Sequence, residues 1–108
     1  MDVQLKRGVL EICVLAVLNQ RESYGYQMIK DLTPCIEISE STLYPILKRL
    51  EKNECVTVHM VEHNSRLRKY YQITGEGQKR ILDFLEEWKE IMKIYHFIQR
   101  QVTGGDQI

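Results

Sequence analysis

Two short groups of positively charged residues are the part of this sequence that could do chemistry. Six of the eight Lys and Arg residues between positions 20 and 73 fall into these groups, Lys48-Arg49-Lys52 and Arg66-Arg68-Lys69. Clustered cations neutralise phosphates, which gives a protein a salt-sensitive attraction for nucleic acid. The whole chain has 15 basic and 15 acidic residues and no net charge. Any such attraction must therefore come from the local placement of the two groups.

Polar and aromatic residues that could complete a nucleic-acid surface lie close to both groups. Ser41 and Thr42 are short polar residues that could reach a base edge or a phosphate. Tyr70 and Tyr71 would point to opposite faces of a strand, so one is expected in the core and the other could hydrogen-bond a phosphate. The candidate contact residues are Ser41, Thr42, Tyr44, Lys48, Arg49, Lys52, Arg66, Arg68, Lys69 and Tyr70. The alternative is that the first group is only the solvated face of a helix.

The first group is predicted to lie on a short amphipathic helix. Its apolar residues recur at helical spacing and would share one face; they are Leu43, Ile46, Leu47 and Leu50. Ser39 is expected to cap this helix, and Asn53 is expected to end it in the left-handed conformation. Pro45 should break the helix unless it stands in the first turn. The pattern alone therefore leaves the start of this helix open.

The second group is predicted to lie on a β-hairpin. From Cys55 to Val61 the hydrophobic period changes from that of a helix to that of a strand. Residues 62–65 have turn chemistry, and residues 68–73 read as a second strand. We expect a loop of moderate length between the two strands.

The remaining chain is predicted to be helical. The first helix covers residues 3–20, and the second covers about residues 24–33 with Ser23 as its cap. Thr74 is expected to cap a last helix over about residues 75–101. The order helix, helix, helix, hairpin, helix is that of a winged helix-turn-helix, a mainly α fold with a β-hairpin wing. In this fold the third helix reads DNA and the wing lies beside it.

The last helix is predicted to join two copies of the chain. Its apolar residues form two neighbouring rows, and charged residues including Arg80 are expected on the opposite face. So broad a band fits a coiled-coil-like seam between two copies. The first helix is apolar nearly all round, interrupted only by Glu11, and is expected to pack against this seam. The predicted interface residues are Val14, Ile81, Leu85, Trp88, Met92 and Tyr95.

These elements divide the chain into three parts. Residues 1–73 are predicted to form the winged helix-turn-helix, residues 74–102 a dimerisation helix, and residues 103–108 a flexible tail. A two-fold dimer would place its two reading helices about 34–36 Å apart, on successive major grooves.

Other classes of protein find little support in the sequence. The three cysteines have wide, unpatterned spacing, which indicates reduced thiols and a cytoplasmic protein. Cys55, His59 and His63 would be more than about 10 Å apart on a strand, so we expect neither a metal nor a cofactor. No nucleophile–base pair, phosphate loop or carboxylate dyad indicates an enzyme. The apolar run from Val9 to Leu18 is about half the length that crosses a bilayer, and no membrane partner is expected.

Two motifs resemble those of the PadR-type transcriptional regulators. They are T42-L-Y-P-I-L-K-R-L-E51 and R68-K-Y-Y-Q-I-T74-x-x-G77, and the resemblance covers almost the whole chain. It implies a homodimer with a winged-helix DNA-binding domain, usually a repressor of nearby genes. The single long C-terminal helix is similar to that of the smaller subfamily.

The resemblance also bears on Pro45. It implies that the reading helix begins several residues before Thr42, so that Pro45 lies inside and bends the first turn. The alternative is a regular helix that starts nearer Leu43. Our hypothesis is that the bend aims the first turn into the major groove. Two positions depart from the family pattern. Glu54 stands where glycine is common, and Asn53 is expected to take the left-handed role instead. The wing tip has no glycine, which leaves its depth in the minor groove open.

Trp88 is the only tryptophan and lies in the middle of the predicted seam. It could simply be a packing residue of the dimer. The resemblance implies a second role, since some small PadR-like regulators bind flat aromatic molecules between paired tryptophans at this point of the helix. Trp88 is therefore a candidate for binding a small aromatic effector.

A winged helix that binds a protein partner and not DNA is the rival interpretation. Such a domain would use the third helix or the seam for its partner and would not need the two cationic groups.

Overall fold

The first helix, α1, spans Val3–Gln20 and starts from a capping aspartate. The carboxylate of Asp2 accepts hydrogen bonds from the backbone N–H groups of Gln4 and Leu5, each 3.1 Å long. These bonds satisfy two of the donors that the start of a helix leaves without partners. The structure is a computed structural model, and it describes residues 1–104.

The described chain is a winged helix with a long C-terminal helix, as the sequence predicts. After α1 the elements are β1 Ser23–Tyr24, α2 Gly25–Leu32, α3 Glu40–Lys52, β2 Val56–His63, β3 Arg66–Ile73 and α4 Gly75–Thr103. The three strands form one antiparallel sheet in the order β1-β3-β2. None of the helices within residues 1–104 combines the length and apolarity that crossing a membrane requires.

The winged domain has its own apolar core, to which α1, α2, α3 and the sheet all contribute. The core includes Leu15 and Leu18 of α1, Met28 of α2 and Leu47 of α3. Val14 also belongs to it and is fully buried within the single chain. The prediction that Val14 lies in an interface between two chains is therefore wrong, because no partner could reach it without opening the core.

The strand β1 was not predicted, and it replaces an expected helix cap. Ser23 pairs with Tyr71 and Tyr24 with Tyr70, so both residues are strand partners of β3. Tyr24 stands at the N-cap position of α2 and gives it no side-chain hydrogen bond. Pairing with β3 satisfies more backbone groups than a cap by one serine side chain would satisfy. This explains why Ser23 belongs to the sheet and does not cap α2.

The reading helix α3 begins at Glu40, five residues before Pro45. Pro45 therefore lies inside the helix, as the family resemblance implies, although the helix begins only two residues before Thr42 and not several. A start near Leu43 is excluded. Ser39 stands at the N-cap, but its hydroxyl contacts those of Ser41 and Thr42, at 2.9 and 3.3 Å, and no backbone N–H. Because proline has no N–H, the carbonyl of Ser41 receives no helical hydrogen bond from Pro45.

The residue that ends α3 in the left-handed conformation is Glu54, with φ of 62°. Asn53 was expected there, but its φ and ψ are −88° and 10°. Glu54 thus stands in the left-handed region at the position where the family resemblance leads one to expect glycine. Its carbonyl accepts a 2.7 Å hydrogen bond from the hydroxyl of Thr74, which holds the chain in this conformation.

The wing ends in a two-residue turn, and the loop of moderate length that was expected is absent. His63 pairs with Arg66, so only Asn64 and Ser65 connect β2 and β3. Their φ values are 53° and 65°. Positive φ at both central residues is the geometry of a type I′ turn, whose twist matches that of a hairpin. Asn tolerates this conformation, which allows a tight tip without glycine.

The last helix, α4, starts at the predicted cap and extends beyond the winged domain. The hydroxyl of Thr74 accepts a 3.1 Å hydrogen bond from the N–H of Gly77. The helix includes Thr103 and ends at Gly104, whose φ is 67°. The predicted tail therefore starts too early, and residues 105–108 lie outside the described residues. With α4 projecting, the molecule measures 63 × 25 × 22 Å.

Candidate nucleic-acid interface

The reading helix presents its predicted contact residues on the side opposite its core face. Its buried residues are Leu43, Ile46, Leu47 and Leu50. The exposed candidates on this helix are Ser41, Thr42, Tyr44, Lys48 and Lys52. One helix thus offers short polar side chains at its start and, toward its end, two lysines that have no ion-pair partner within residues 1–104.

Arg49 differs from the other cations of α3 because it is already paired. Its Nε donates a 2.9 Å hydrogen bond to the carboxylate of Glu11 on α1, which is only 7% exposed. The guanidinium of Arg80, on α4, donates to the other oxygen of that carboxylate. Arg80 was expected on the outward face of α4, and this expectation is wrong. Arg49 is half-buried in an ion pair within the chain, so it is not a free cation like Lys48 and Lys52.

The cation of Arg80 is stabilised by its surroundings. Burial by itself lowers the pKa of Arg80, but its hydrogen bonds to Cys55 and Glu11 outweigh this effect and raise the pKa above its usual value. Arg80 is therefore a cation at neutral pH, as arginine ordinarily is.

The wing separates the second cationic group onto two faces of the sheet. Arg66, Arg68 and Tyr70 alternate along β3 and share one face, whereas Lys69 and Tyr71 share the other. Tyr71 is buried in the core and Tyr70 is half-buried on the outer face. One tyrosine is thus in the core and the other outside, as expected.

The outer face of the sheet carries a row of stacked side chains. The guanidinium of Arg68 lies 4.0 Å from the ring centre of Tyr24, and the rings of Tyr24 and Tyr70 are 5.4 Å apart. His59 stacks on Tyr70 at 6.0 Å and its Nε2 lies 3.2 Å from a carboxylate oxygen of Glu22. Stacking on Tyr24 limits the motion of Arg68 and holds its charge at the edge of β3.

A groove of about 330 Å³ lies between the start of α2, the reading helix and the wing. Its lining residues are Tyr24, Gly25, Tyr26, Tyr44, Leu67, Arg68, Lys69 and Tyr71. The groove therefore brings Tyr44, a contact candidate of α3, next to Arg68 and Lys69 of the wing. These two cations lie 24 and 25 positions after Tyr44 in the sequence.

Gly25 makes the position of Tyr44 possible. A Cβ atom on Gly25 would collide with the hydroxyl end of the Tyr44 ring. Burial, followed by the nearby charge of Glu40, raises the pKa of Tyr44, so its phenol stays protonated and can donate a hydrogen bond. Sequence analysis missed Gly25, although a glycine at a predicted helix start is a signal of close packing.

The start of α2 adds a further positive element to this groove. No side chain caps α2, and no acidic residue stands in its first turn. Its first N–H groups therefore carry the partial positive charge of a helix start. This contribution comes from the backbone, so a count of charged residues could not find it.

The predicted dimer residues of α4 divide into two sets. Ile81 is half-buried and packs against the core of the winged domain, and Met92 is half-buried as well. Leu85, Trp88 and Tyr95 are exposed, at 52%, 36% and 51%. The ring of Phe84 stacks on Trp88 with centres 5.7 Å apart. The seam predicted from the sequence is therefore an apolar surface that, beyond Ile81, the rest of residues 1–104 leaves largely exposed.

The apolar surface of α4 is wider than the two predicted rows. Leu82, Ile94 and Phe97 lie outside these rows and are 63%, 55% and 55% exposed. At 100° per residue, Phe97 points roughly opposite Trp88. The far half of α4 is thus apolar on several sides.

Comparison with known proteins agrees with this architecture. The model of the transcriptional regulator PadR-like family matches residues 14–83. A transcriptional regulator from Clostridium thermocellum is 33% identical, with 85% of this chain and 94% of that one covered and a TM-score of 0.78.

Two further solved structures superpose equally well. A PadR-like transcription factor from Bacteroides fragilis is 31% identical, covering 88% of this chain and 94% of its own, with a TM-score of 0.80. A Streptococcus transcriptional regulator is 33% identical, covering 91% and 99%, also with a TM-score of 0.80. The family suggested by the two sequence motifs is thereby confirmed. The chain belongs to the PadR-like family of transcriptional regulators, which are DNA-binding proteins and not enzymes.

Proposed function

We propose that this protein is a homodimeric repressor that binds one DNA duplex through α3 and the wing of each copy. The observation that supports this most is the groove in which Tyr44 of the reading helix meets Arg68 and Lys69 of the wing. A groove with a helix on one side and cations on the other suits a DNA backbone, because phosphates fix the register while the helix reaches the bases.

Each candidate residue has a distinct part in this proposal. Ser41 and Thr42 stand at the start of α3, where base contacts in the major groove are commonly made. Lys48 and Lys52 neutralise phosphates along the same helix. Arg66 pairs directly with the residue before the turn, so it lies at the tip of the wing where it can reach the minor groove. Arg49 is left out because its charge is already paired with Glu11.

The dimer follows from the uncovered face of α4. Many apolar residues of α4 are exposed. A large exposed apolar patch of this kind marks a surface that binds another protein. A second copy that packs α4 against α4 would bury Leu85, Trp88 and Tyr95 and set two reading helices about 34–36 Å apart. Two-fold symmetry makes such a contact self-complementary.

The proposal includes a small planar aromatic effector at the dimer centre. Trp88 and the stacked ring of Phe84 offer a flat apolar surface that a two-fold axis would duplicate. An effector between two such surfaces would act by changing the angle between the reading heads. Titration of planar aromatic compounds should shift Trp88 fluorescence in the wild-type protein, and fluorescence that no such compound alters would contradict this part of the proposal.

The DNA-binding surface can be tested by charge reversal. Footprinting on DNA that flanks the protein's own gene would identify the bound sequence. Lys48→Glu and Lys69→Glu should each weaken binding and lower the salt dependence, by about 0.9 in the logarithmic slope for each lost phosphate contact. Lys79→Glu is the matched control, since Lys79 is exposed on α4, lies 3.6 Å from Asp83 and does not line the groove.

Two results would contradict the proposal. Charge-reversed variants that bind the duplex as the wild type does would exclude this surface. A winged helix that captures a protein partner equally well with and without the charges would favour the rival interaction module.

A further inference from the structure

One buried carboxylate joins the reading helix to the last helix. Glu11 of α1 binds Arg49 of α3 through one oxygen and Arg80 of α4 through the other. Glu11 is 7% exposed, whereas the two arginine side chains are 31% and 36% exposed. The carboxylate is thus almost fully enclosed, and both of its partners come from helices other than its own.

A second attachment joins α3 and α4 at a different place. The N–H of Thr74 donates a 3.0 Å hydrogen bond to the carbonyl of Cys55, and its hydroxyl donates to the carbonyl of Glu54. A Cβ atom on Gly77 would collide with the same Cys55 carbonyl. The first turn of α4 is therefore packed tightly against the chain that leaves α3.

Two attachments constrain a helix differently from one. With only the contacts of Thr74, α3 could still pivot about its C-terminal end. The bridge from Arg80 through Glu11 to Arg49 holds α3 one turn earlier and removes that freedom. The two attachments together make the winged domain and the base of α4 a single rigid unit.

We propose that Glu11 is a positioning residue for DNA binding, because it fixes the direction of α3 relative to α4 and so the placement of both reading helices in the dimer. This inference rests on the proposed function. A change in the angle of α4, including one caused by an effector near Trp88, would reach the DNA through this bridge. Removing one partner of a buried ion pair leaves the other charges uncompensated, so the bridge should fail as a unit.

The test measures tolerance to the spacing of the two half-sites. A duplex that the wild-type protein selects from a random-sequence pool is prepared with its half-sites at the selected spacing and one or two base pairs farther apart. The wild type should bind the selected spacing best. Glu11→Gln and Arg80→Gln should bind that duplex roughly tenfold more weakly and lose most of the spacing preference. A loss of stability alone would not change this preference.

Three further variants make the test specific. Arg80→Lys keeps the cation and should restore most of the preference. Lys79→Gln removes a neighbouring exposed cation and should behave as the wild type. The double variant Glu11→Gln/Arg80→Gln should bind no more weakly than Glu11→Gln alone, because both changes break one bridge.

The possible outcomes separate this inference from the function on which it rests. A wild-type protein that selects no duplex would overturn both. A wild type that selects a duplex while Glu11→Gln keeps the same affinity and spacing preference would overturn the inference alone. If Glu11→Gln does not fold, Arg80→Gln decides the question, since Arg80 lies on α4 and outside the proposed DNA surface.

Discussion

The winged domain and the far half of α4 differ in how far their apolar side chains are buried. In the winged domain three helices and a sheet enclose a continuous apolar core, with Val14, Leu15 and Leu43 fully buried. In α4 beyond residue 84, no residue is fully buried and apolar side chains such as Ile94 and Phe97 stand more than half exposed. Both regions contain helices, but within residues 1–104 only the winged domain encloses its apolar side chains.

This difference indicates which part of the molecule the proposed second copy would cover. The winged domain encloses an apolar core within a single chain. A helix with apolar residues on several sides needs other helices around it.

Core substitutions should damage the winged domain most. Leu15→Ala removes a fully buried side chain and leaves a cavity, so we expect a loss of about 2–5 kcal/mol in the free energy of unfolding. Chemical denaturation followed by circular dichroism would measure it. An equal loss from Leu82→Ala, whose side chain is 63% exposed, would contradict the contrast between the two regions.

A charge on the exposed apolar face of α4 should break the proposed dimer and leave the winged domain folded. Leu85→Asp places a carboxylate in the proposed seam, and we expect self-association to weaken by about 3 kcal/mol. Sedimentation velocity over a range of concentrations would measure this. Glu86→Asp, a neighbouring change that keeps the charge, is the control. A Leu85→Asp variant that remains dimeric would show that the interface lies elsewhere.

Gly25→Ala tests the groove inside the winged domain. The backbone of Gly25 has no positive φ, so alanine fits the helix, but its methyl group must displace Tyr44. We expect normal stability with DNA affinity lowered by about 1 kcal/mol, as for one lost contact. Fluorescence anisotropy with the selected duplex would show this. Affinity equal to the wild type would mean that the position of Tyr44 does not matter for binding.

Glu54→Gly should stabilise the protein slightly. Glu54 has a φ of 62°, which costs a non-glycine residue about 1–2 kcal/mol, and glycine recovers part of this at the expense of a more flexible unfolded chain. The expected gain is about 1 kcal/mol in thermal or chemical denaturation. Asn53→Gly is the matched control and should not stabilise, since the φ of Asn53 is −88°.

Much of the fold could be predicted from local sequence patterns. The order of the helices and the hairpin follows from the hydrophobic period, and the cap at Thr74 follows from residue type. The two-residue strand β1 could not be predicted, because so short a segment has no period and forms only by pairing with β3. The choice between Asn53 and Glu54 for the left-handed position also depended on a partner, the distant hydroxyl of Thr74.

Only part of the candidate site could be predicted from the sequence. The positions of Lys48 and Lys52 on the outer side of α3 follow from helical periodicity. The inward direction of Arg49 does not follow from helical periodicity, because its partner Glu11 is 38 positions away. The two faces of the wing could have been assigned from strand alternation, which separates Arg68 from Lys69 once the strand is accepted.

The sequence by itself determined the elements, their order and the family, because hydrophobic period, caps and motifs depend on residues a few positions apart. Only the tertiary structure decided which residues serve the core and which remain free. It placed Val14 inside, joined Arg80 to Glu11 across 69 positions and set Tyr44 against Gly25. The physical reason is that burial and ion pairing are properties of the packed chain, in which one charge or one missing Cβ acts on residues far away in the sequence.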